Sequence, residues 1–237
     1  MFREEKLPVQ AKEDAEENAE SRDRRRALGA ETRRRVLLAA EKLFAKNGYN
    51  GAGMREIARE AEANVAALHY HFGSKQALLC ELLQLRGAPI AKQRMERLAE
   101  MRKSGPLDLP SVLRAFLEPA FLDDPSGPLN HSPYAELRAR LSFESEAITR
   151  QVLSEIFDES SRAYIAAIAE CLPGLPEEDL YFKFHFMLST MFYAMLNTGR
   201  VTELSGGKTD TSDPRKLLDH LIPFLVVGFR DSVPEAR

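Results

Sequence analysis

Few features of secreted, membrane-spanning or metal-dependent proteins occur in this sequence. Two cysteines stand in 237 residues, Cys80 and Cys171, with no CxxC pair. Neither a disulfide framework nor a thiolate metal site is expected, and both cysteines fall in apolar helical runs as reduced core residues of a cytosolic protein. Residues 1–26 are rich in Glu, Lys and Arg, without the apolar stretch of a signal peptide. No run reaches the roughly 18 apolar residues of a membrane span. Residues 180–196 are interrupted by Lys183 and His185, and residues 217–229 by Asp219, His220 and Pro223. A soluble, cytoplasmic chain with no membrane partner is expected. Neither GxSxG nor HExxH occurs. His69 and His71, two apart on a helix, point about 200° apart and do not chelate one ion. Gly206-Gly207-Lys208-Thr209 ends like a phosphate loop, but Thr202 stands where its first glycine belongs and no strand precedes it. No catalysis, metal or cofactor is expected.

What is present is charge, unevenly placed, and helical periodicity. Residues 22–86 carry 13 Lys/Arg against 7 Asp/Glu, a net of +6, which leaves −9 for the rest of a chain whose total is −3. One anion-binding end on an acidic body is the expectation, with nucleic acid the natural anion. Residues 1–26 hold too little apolar surface to offset chain entropy and are expected to be disordered. The arginines at 22, 24, 25 and 26 read either as a solvated run or as an arm on DNA.

Beyond the tail the apolar residues follow helical spacing. Val36, Ala40, Leu43, Phe44 and Asn47 place a first helix at 31–47, ended by Gly48. Short helices follow at 54–61 and 65–72, then a long one capped by Ser74 and running toward residue 101. Further helices are expected at 109–122, 134–141, 146–171, 177–199 and 214–230, separated by Gly105-Pro106, 124–128, 173–176 and 205–214. The fold expected is all-α, in three parts: a charged tail (1–28), a three-helix helix-turn-helix DNA-binding domain (29–76, motif 53–72), and a helical ligand-binding and dimerisation domain (77–237).

Helices of two turns are too short to stand alone. Those at 54–61 and 65–72, joined by Glu62-Ala63-Asn64, need a third beneath them, and Leu43 and Phe44 supply it. A three-helix unit with a basic surface is the architecture of a helix-turn-helix, whose second short helix lies in the major groove.

The residues themselves resemble a family. Ala45-Lys46-Asn47-Gly48-Tyr49, Ile57-Ala58-Arg59-Glu60-Ala61 and Tyr70-His71-Phe72-Gly73-Ser74-Lys75 occur in the order and spacing of the TetR-type transcriptional regulators, over residues 32–83. Asn64 can cap the reading helix and reach a base or phosphate. Val65, Leu68 and Phe72 face inward, while Ala66, Ala67, Tyr70 and His71 turn outward beside His69. The resemblance implies that Tyr70, His71 and Lys75 grip phosphates and that Ala66, Ala67 and His69 meet base edges; Arg33 and Arg55 are counted with the DNA-facing set. Two departures stand out. Glu62 occupies a turn position that is usually glycine, and Gly51-Ala52-Gly53 lacks the usual capping hydroxyl, which puts a phosphate contact there in doubt.

The C-terminal body resembles a fatty-acid-responsive subgroup of that family, through Asn64-Val65-Ala66-Ala67, His185-Phe186-Met187-Leu188 and Ile222-Pro223-Phe224-Leu225. Large flexible residues are plentiful, and Phe116, Phe143, Phe182, Phe186, Met187 and Met191 are candidates to line an apolar pocket, against ordinary core packing for any one of them. An anionic head group would find Arg86, Arg138, Arg140 or Lys183. Two stripes, Leu217, Leu218, Leu221, Leu225 and Phe229, and Phe184, Leu188, Met191, Phe192 and Met195, are wider than one neighbour covers and are expected to pair two subunits through the last two helices. The reading is a one-component repressor, a homodimer on a near-palindromic operator, released by a small apolar effector such as a fatty acid or acyl-CoA.

Overall fold

A computed structural model describes residues 9–122, 133–143, 147–196 and 198–231, all of it helix, turn or coil. Ten helices follow in order: α1 (Val9–Gly51), α2 (Met54–Glu60), α3 (Val65–Phe72), α4 (Lys75–Ser104), α5 (Leu109–Phe121), α6 (Tyr134–Phe143), α7 (Ala147–Cys171), α8 (Glu177–Leu196), α9 (Arg200–Leu204) and α10 (Pro214–Arg230). The punctuation expected at 124–128 lies outside the described residues.

The starts of these helices are written in side chains. Asn64 Oδ1 accepts the Ala67 N–H at 2.6 Å and Ser74 Oγ accepts that of Ala77 at 3.1 Å. Asp108 and Asp213 do the same for α5 and α10, each beside a proline in the first turn, where a missing N–H costs nothing. Gly53, before α2, provides no side-chain cap. Gly48, with φ 74 and ψ 171, breaks α1 where the sequence placed its end.

The charged tail departs from expectation. Instead of disorder, the helix runs back to Val9. Ala, Glu, Gln, Lys and Arg dominate that stretch, and all are strong helix formers. Extending a helix already nucleated by a packed segment avoids the cost of a new nucleus. For residues 1–8 the expectation lies outside the described residues. α9, unexpected, is a single turn that opens on left-handed Gly199. Gly206 and Gly207 then take positive φ in the turn toward α10, which accounts for the glycine pair that ends like a phosphate loop.

The buried apolar side chains of both halves form one contiguous cluster. Val36, Ala40 and Phe44 of α1 meet Ile57, Leu68 and Leu78, all essentially inaccessible. α4 packs along α7, α6 lies between α1 and α8, and α10 covers α5. Gly87 marks the closest approach of α4: a Cβ there would stand 3.0 Å from Ile156 Cγ2, 3.0 Å from the Tyr134 hydroxyl and 3.1 Å from Phe157 Cζ. Cys80 and Cys171 are half-buried free thiols, pushed up in pKa by burial.

Candidate nucleic-acid interface and effector pocket

α3 is presented as a rod. Leu68 and Phe72 are buried beneath it, and its first turn is closed by Asn64. Its outer face carries Ala66, His69 and Tyr70, all exposed, with Tyr70 86% accessible. Ala67 and His71 are half-buried at the edges of that face, and the His71 ring meets Tyr70 edge-on at 5.3 Å. The His69 Nδ1 lies 2.8 Å from the Gly73 carbonyl. In the neutral ring Nδ1–H therefore donates to that oxygen, which fixes the tautomer and leaves Nε2 as an acceptor. An exposed phenol and imidazole beside alanines, on a rigid helix, suit hydrogen bonding to phosphates and base edges.

The basic residues divide into two groups. Arg55 is exposed at the start of α2. Lys75 Nζ sits 4.4 Å from the centre of the Tyr49 ring. Arg33 is more committed than its sequence context implied: it ion-pairs with Glu81 of α4 and stands 5.5 Å over the Phe72 ring, so it ties α1 to α3 and α4. Glu62 holds φ at 50, the left-handed conformation expected of the departed glycine, with Arg35 3.7 Å from its carboxylate.

The reading helices are fixed to the body by a buried ion pair that the sequence did not reveal. Arg86 Nε and Nη2 of α4 donate to the two oxygens of Glu41 in α1 at 2.8 and 3.2 Å, with Glu41 fully buried. Two parallel bonds fix geometry as well as charge. Arg86 is thereby withdrawn from the candidates for a ligand's head group. Arg140 pairs with Glu136 at 3.8 Å, and Lys183 donates to the Gly228 carbonyl at 2.6 Å, stitching α8 to α10.

Arg138 is the candidate cation that faces a cavity. A cleft of about 480 Å³ opens between α5, α6, α7 and α8, lined by Phe116, Arg138, Leu141, Leu153, Phe157 and Phe192 among others. Arg138 is 4% exposed and stacks its guanidinium 3.9 Å over Phe157. Arg94 of α4, which the sequence reading passed over, is fully buried behind the same aromatics, 3.7 Å over Phe116 and 5.7 Å from Phe157. Its Nε donates to the Phe116 carbonyl at 2.8 Å, while Nη1 and Nη2 have no hydrogen-bond partner among the described residues. Arg138 Nη1 is likewise without one. Burial, and then the like charge of Arg138, push Arg94 well below arginine's ordinary value. A signal for Arg94 existed: it is a lone cation on the apolar stripe Leu83, Gly87, Ile90, Leu98 of α4.

Other pocket candidates move. Phe116 lines the cleft. Phe182 and Phe186 point outward, 53% and 59% exposed, and Met187 and Met191 are sealed in the core. Side chains at 182, 186 and 193 share one stripe of α8, roughly opposite that of 184, 187, 191 and 195, so both groups cannot face one cavity. The side chain of Phe143 lies outside the described residues. The expected pairing stripes are also corrected. Leu218, Leu221, Leu225 and Phe229 are buried where α10 covers α5, and Phe184, Met191 and Met195 are buried within the chain. Among the described residues, exposed apolar side chains on these two helices are instead Tyr181, Phe182, Phe186 and Tyr193 of α8 with Phe224 and Val227 of α10.

Among the described residues no group of three or more His, Cys, Asp or Glu could hold a metal ion, and no helix is long and apolar enough to cross a membrane.

Comparison with known proteins bears on both halves. The profile of bacterial regulatory proteins of the tetR family matches residues 36–82, and that of the tetracyclin repressor-like C-terminal domain matches residues 114–228. The transcriptional regulator QacR of Staphylococcus aureus is 39% identical over 51 residues, 22% of this chain and 27% of that protein. The chain thus spans about a quarter of the length of the curated relatives it matches. Over nearly whole chains the fold is similar to solved structures. The hemolysin II transcriptional regulator HlyIIR superposes with a TM-score of 0.55 at 20% identity, over 83% of this chain and 97% of the other. The fatty acid degradation regulator FadR of Bacillus halodurans gives 0.58 at 16%, over 84% and 96%. With one profile on the helix-turn-helix and its companion on the body, the chain belongs to the TetR family.

Proposed function

We propose that this chain is a one-component transcriptional regulator that binds duplex DNA through α3 and represses until a small apolar effector enters the cleft of its body. The observation that carries the reading is α3 itself, a two-turn rod capped by Asn64 and anchored by Leu68 and Phe72, with Ala66, His69 and Tyr70 exposed along one side. The net charge of +6 over residues 22–86 supports a polyanion as its partner. Tyr70, His71, Lys75 and Arg55 contact phosphates; Ala66, Ala67, His69 and Asn64 meet bases; Arg33 acts from its pair with Glu81.

The exposed aromatic stripe of α8 and α10 supports a homodimer formed by these two helices. Gly228 adds a flat spot, since nothing lies within 4 Å of where its Cβ would be. Two reading helices about one DNA turn apart then call for a near-palindromic operator. The cleft supports an effector of small-molecule size. The likeness to FadR carries the fold, and a fatty acid or acyl-CoA as effector rests on the cleft and on the sequence resemblance.

Fluorescence anisotropy with duplexes from the chain's own promoter tests the assignment. Binding is expected to weaken steeply with salt. Lys75→Ala should lower affinity for all duplexes alike and reduce the salt slope by about one. Substitutions at Ala67 or His69 should change sequence preference instead. Absence of salt-sensitive binding to any duplex would overturn the proposal.

A further inference from the structure

Among the described residues, the cleft in the body contains a charge imbalance. Arg138 lines it and Arg94 stands behind it, one 4% and the other 0% exposed, and neither has an ion pair among the described residues. Three of their amino groups lack any hydrogen-bond partner there. A buried cation left without an anion is strongly disfavoured, and two beside each other more so. The aromatic faces of Phe116 and Phe157 relieve part of that cost but carry no counter-charge. The carboxylate on the lining, Asp158, is committed elsewhere: it accepts from Arg162 at 2.9 Å and from Ser154 at 2.7 Å. The rest of the lining is mixed: Leu141, Leu153, Leu188 and Phe192 are apolar, Ser142, Ser154 and Ser161 carry hydroxyls, and the exposed Arg150 is a further cation.

We propose that this cleft binds an anionic amphiphile, a carboxylate on an apolar chain, whose head group sits against Arg138 with Arg94 as the second cation. The inference rests on the reading of the body as a sensor and specifies the chemistry of its effector. A carboxylate accepts from the Arg138 guanidinium and supplies the counter-charge that Arg94 behind it also feels, while the apolar chain takes the aromatic and leucine walls. A neutral head leaves the guanidinium groups unanswered, and a cationic head adds a third positive charge. The burial of Arg138 leaves room for a compact head only, which favours a free acid over a thioester carrying a nucleotide.

Calorimetric titration of the intact protein with decanoate, decanol and decylammonium tests this without any variant. Decanoate should bind about ten- to a hundredfold more tightly than decanol, the range of a charge-assisted hydrogen bond, and decylammonium should not bind. Carboxyl-labelled decanoate followed by NMR should titrate below its ordinary range when bound, since facing cations favour the ionised form. In Arg138→Gln, checked for folding by its thermal melt without ligand, the preference for decanoate over decanol should collapse while decanol binding persists. Equal binding of decanoate and decanol to the unaltered protein, or a bound carboxyl titrating above its ordinary range, would overturn the head-group assignment and leave an apolar effector standing. If none of the three binds, the cleft is not a sensor site, and the effector reading fails with the proposal, although DNA binding through α3 does not.

Discussion

The reading head and the body handle buried charge in opposite ways. Where the head joins the body, Glu41 of α1 is fully buried and the largely covered Arg86 of α4 is bonded to it through two parallel contacts. In the body, Arg94 and Arg138 are both buried, with amino groups that have no partner among the described residues. The first arrangement is complete within one chain and rigid. The second leaves three amino groups without a hydrogen-bond partner among the described residues.

The sharpest way to break the comparison is to remove one member of each set. Glu41→Ala strands Arg86 in the interior and should cost about 3–5 kcal/mol, read by urea unfolding, with DNA affinity falling as the helices loosen. At Gly87, where α4 meets Tyr134, Ile156 and Phe157, Gly87→Ala forces those neighbours apart and should cost about 1–3 kcal/mol, seen as a lowered melting temperature. Glu62→Gly relieves the left-handed strain in the helix-turn-helix and should add about 1 kcal/mol, the lost contact of the exposed Glu62 carboxylate to Arg35 counting for little. Arg94→Met should have the smallest effect, within about 1 kcal/mol of neutral in the absence of ligand or slightly stabilising. If Arg94→Met proves as damaging as Glu41→Ala, the two regions do not differ in the way described.

The head was legible because its signals are local. Asn64, Ser74, Gly48 and the inward spacing of Leu68 and Phe72 each act within one turn of where they stand, and their positions in the structure follow the sequence closely. The strained turn at Glu62 was legible for the same reason, through the glycine it replaces. In the body the helices themselves were readable, with α10 starting and ending where expected, but their orientation was not. α8 is apolar on two nearly opposite sides, and periodicity cannot say whether Phe184 or Phe186 points inward. That choice is made by α5, α6 and α10, distant in sequence. Hence Phe182 and Phe186, expected in a pocket, stand outside, and the stripe of Leu218 and Leu225, expected between subunits, is consumed within one. The Glu41–Arg86 pair joins residues 45 apart and gave no local trace. Arg94 did leave one, as a cation in an apolar stripe.

The tight contact at Gly87 has a mechanical consequence. A tilt of α4 against α7 and Tyr134 would have its pivot at this close crossing. Lys75 lies roughly 18 Å to one side of this fulcrum and Ser104 roughly 26 Å to the other, at 1.5 Å per residue. Arg94 sits on the longer arm, two turns past the fulcrum.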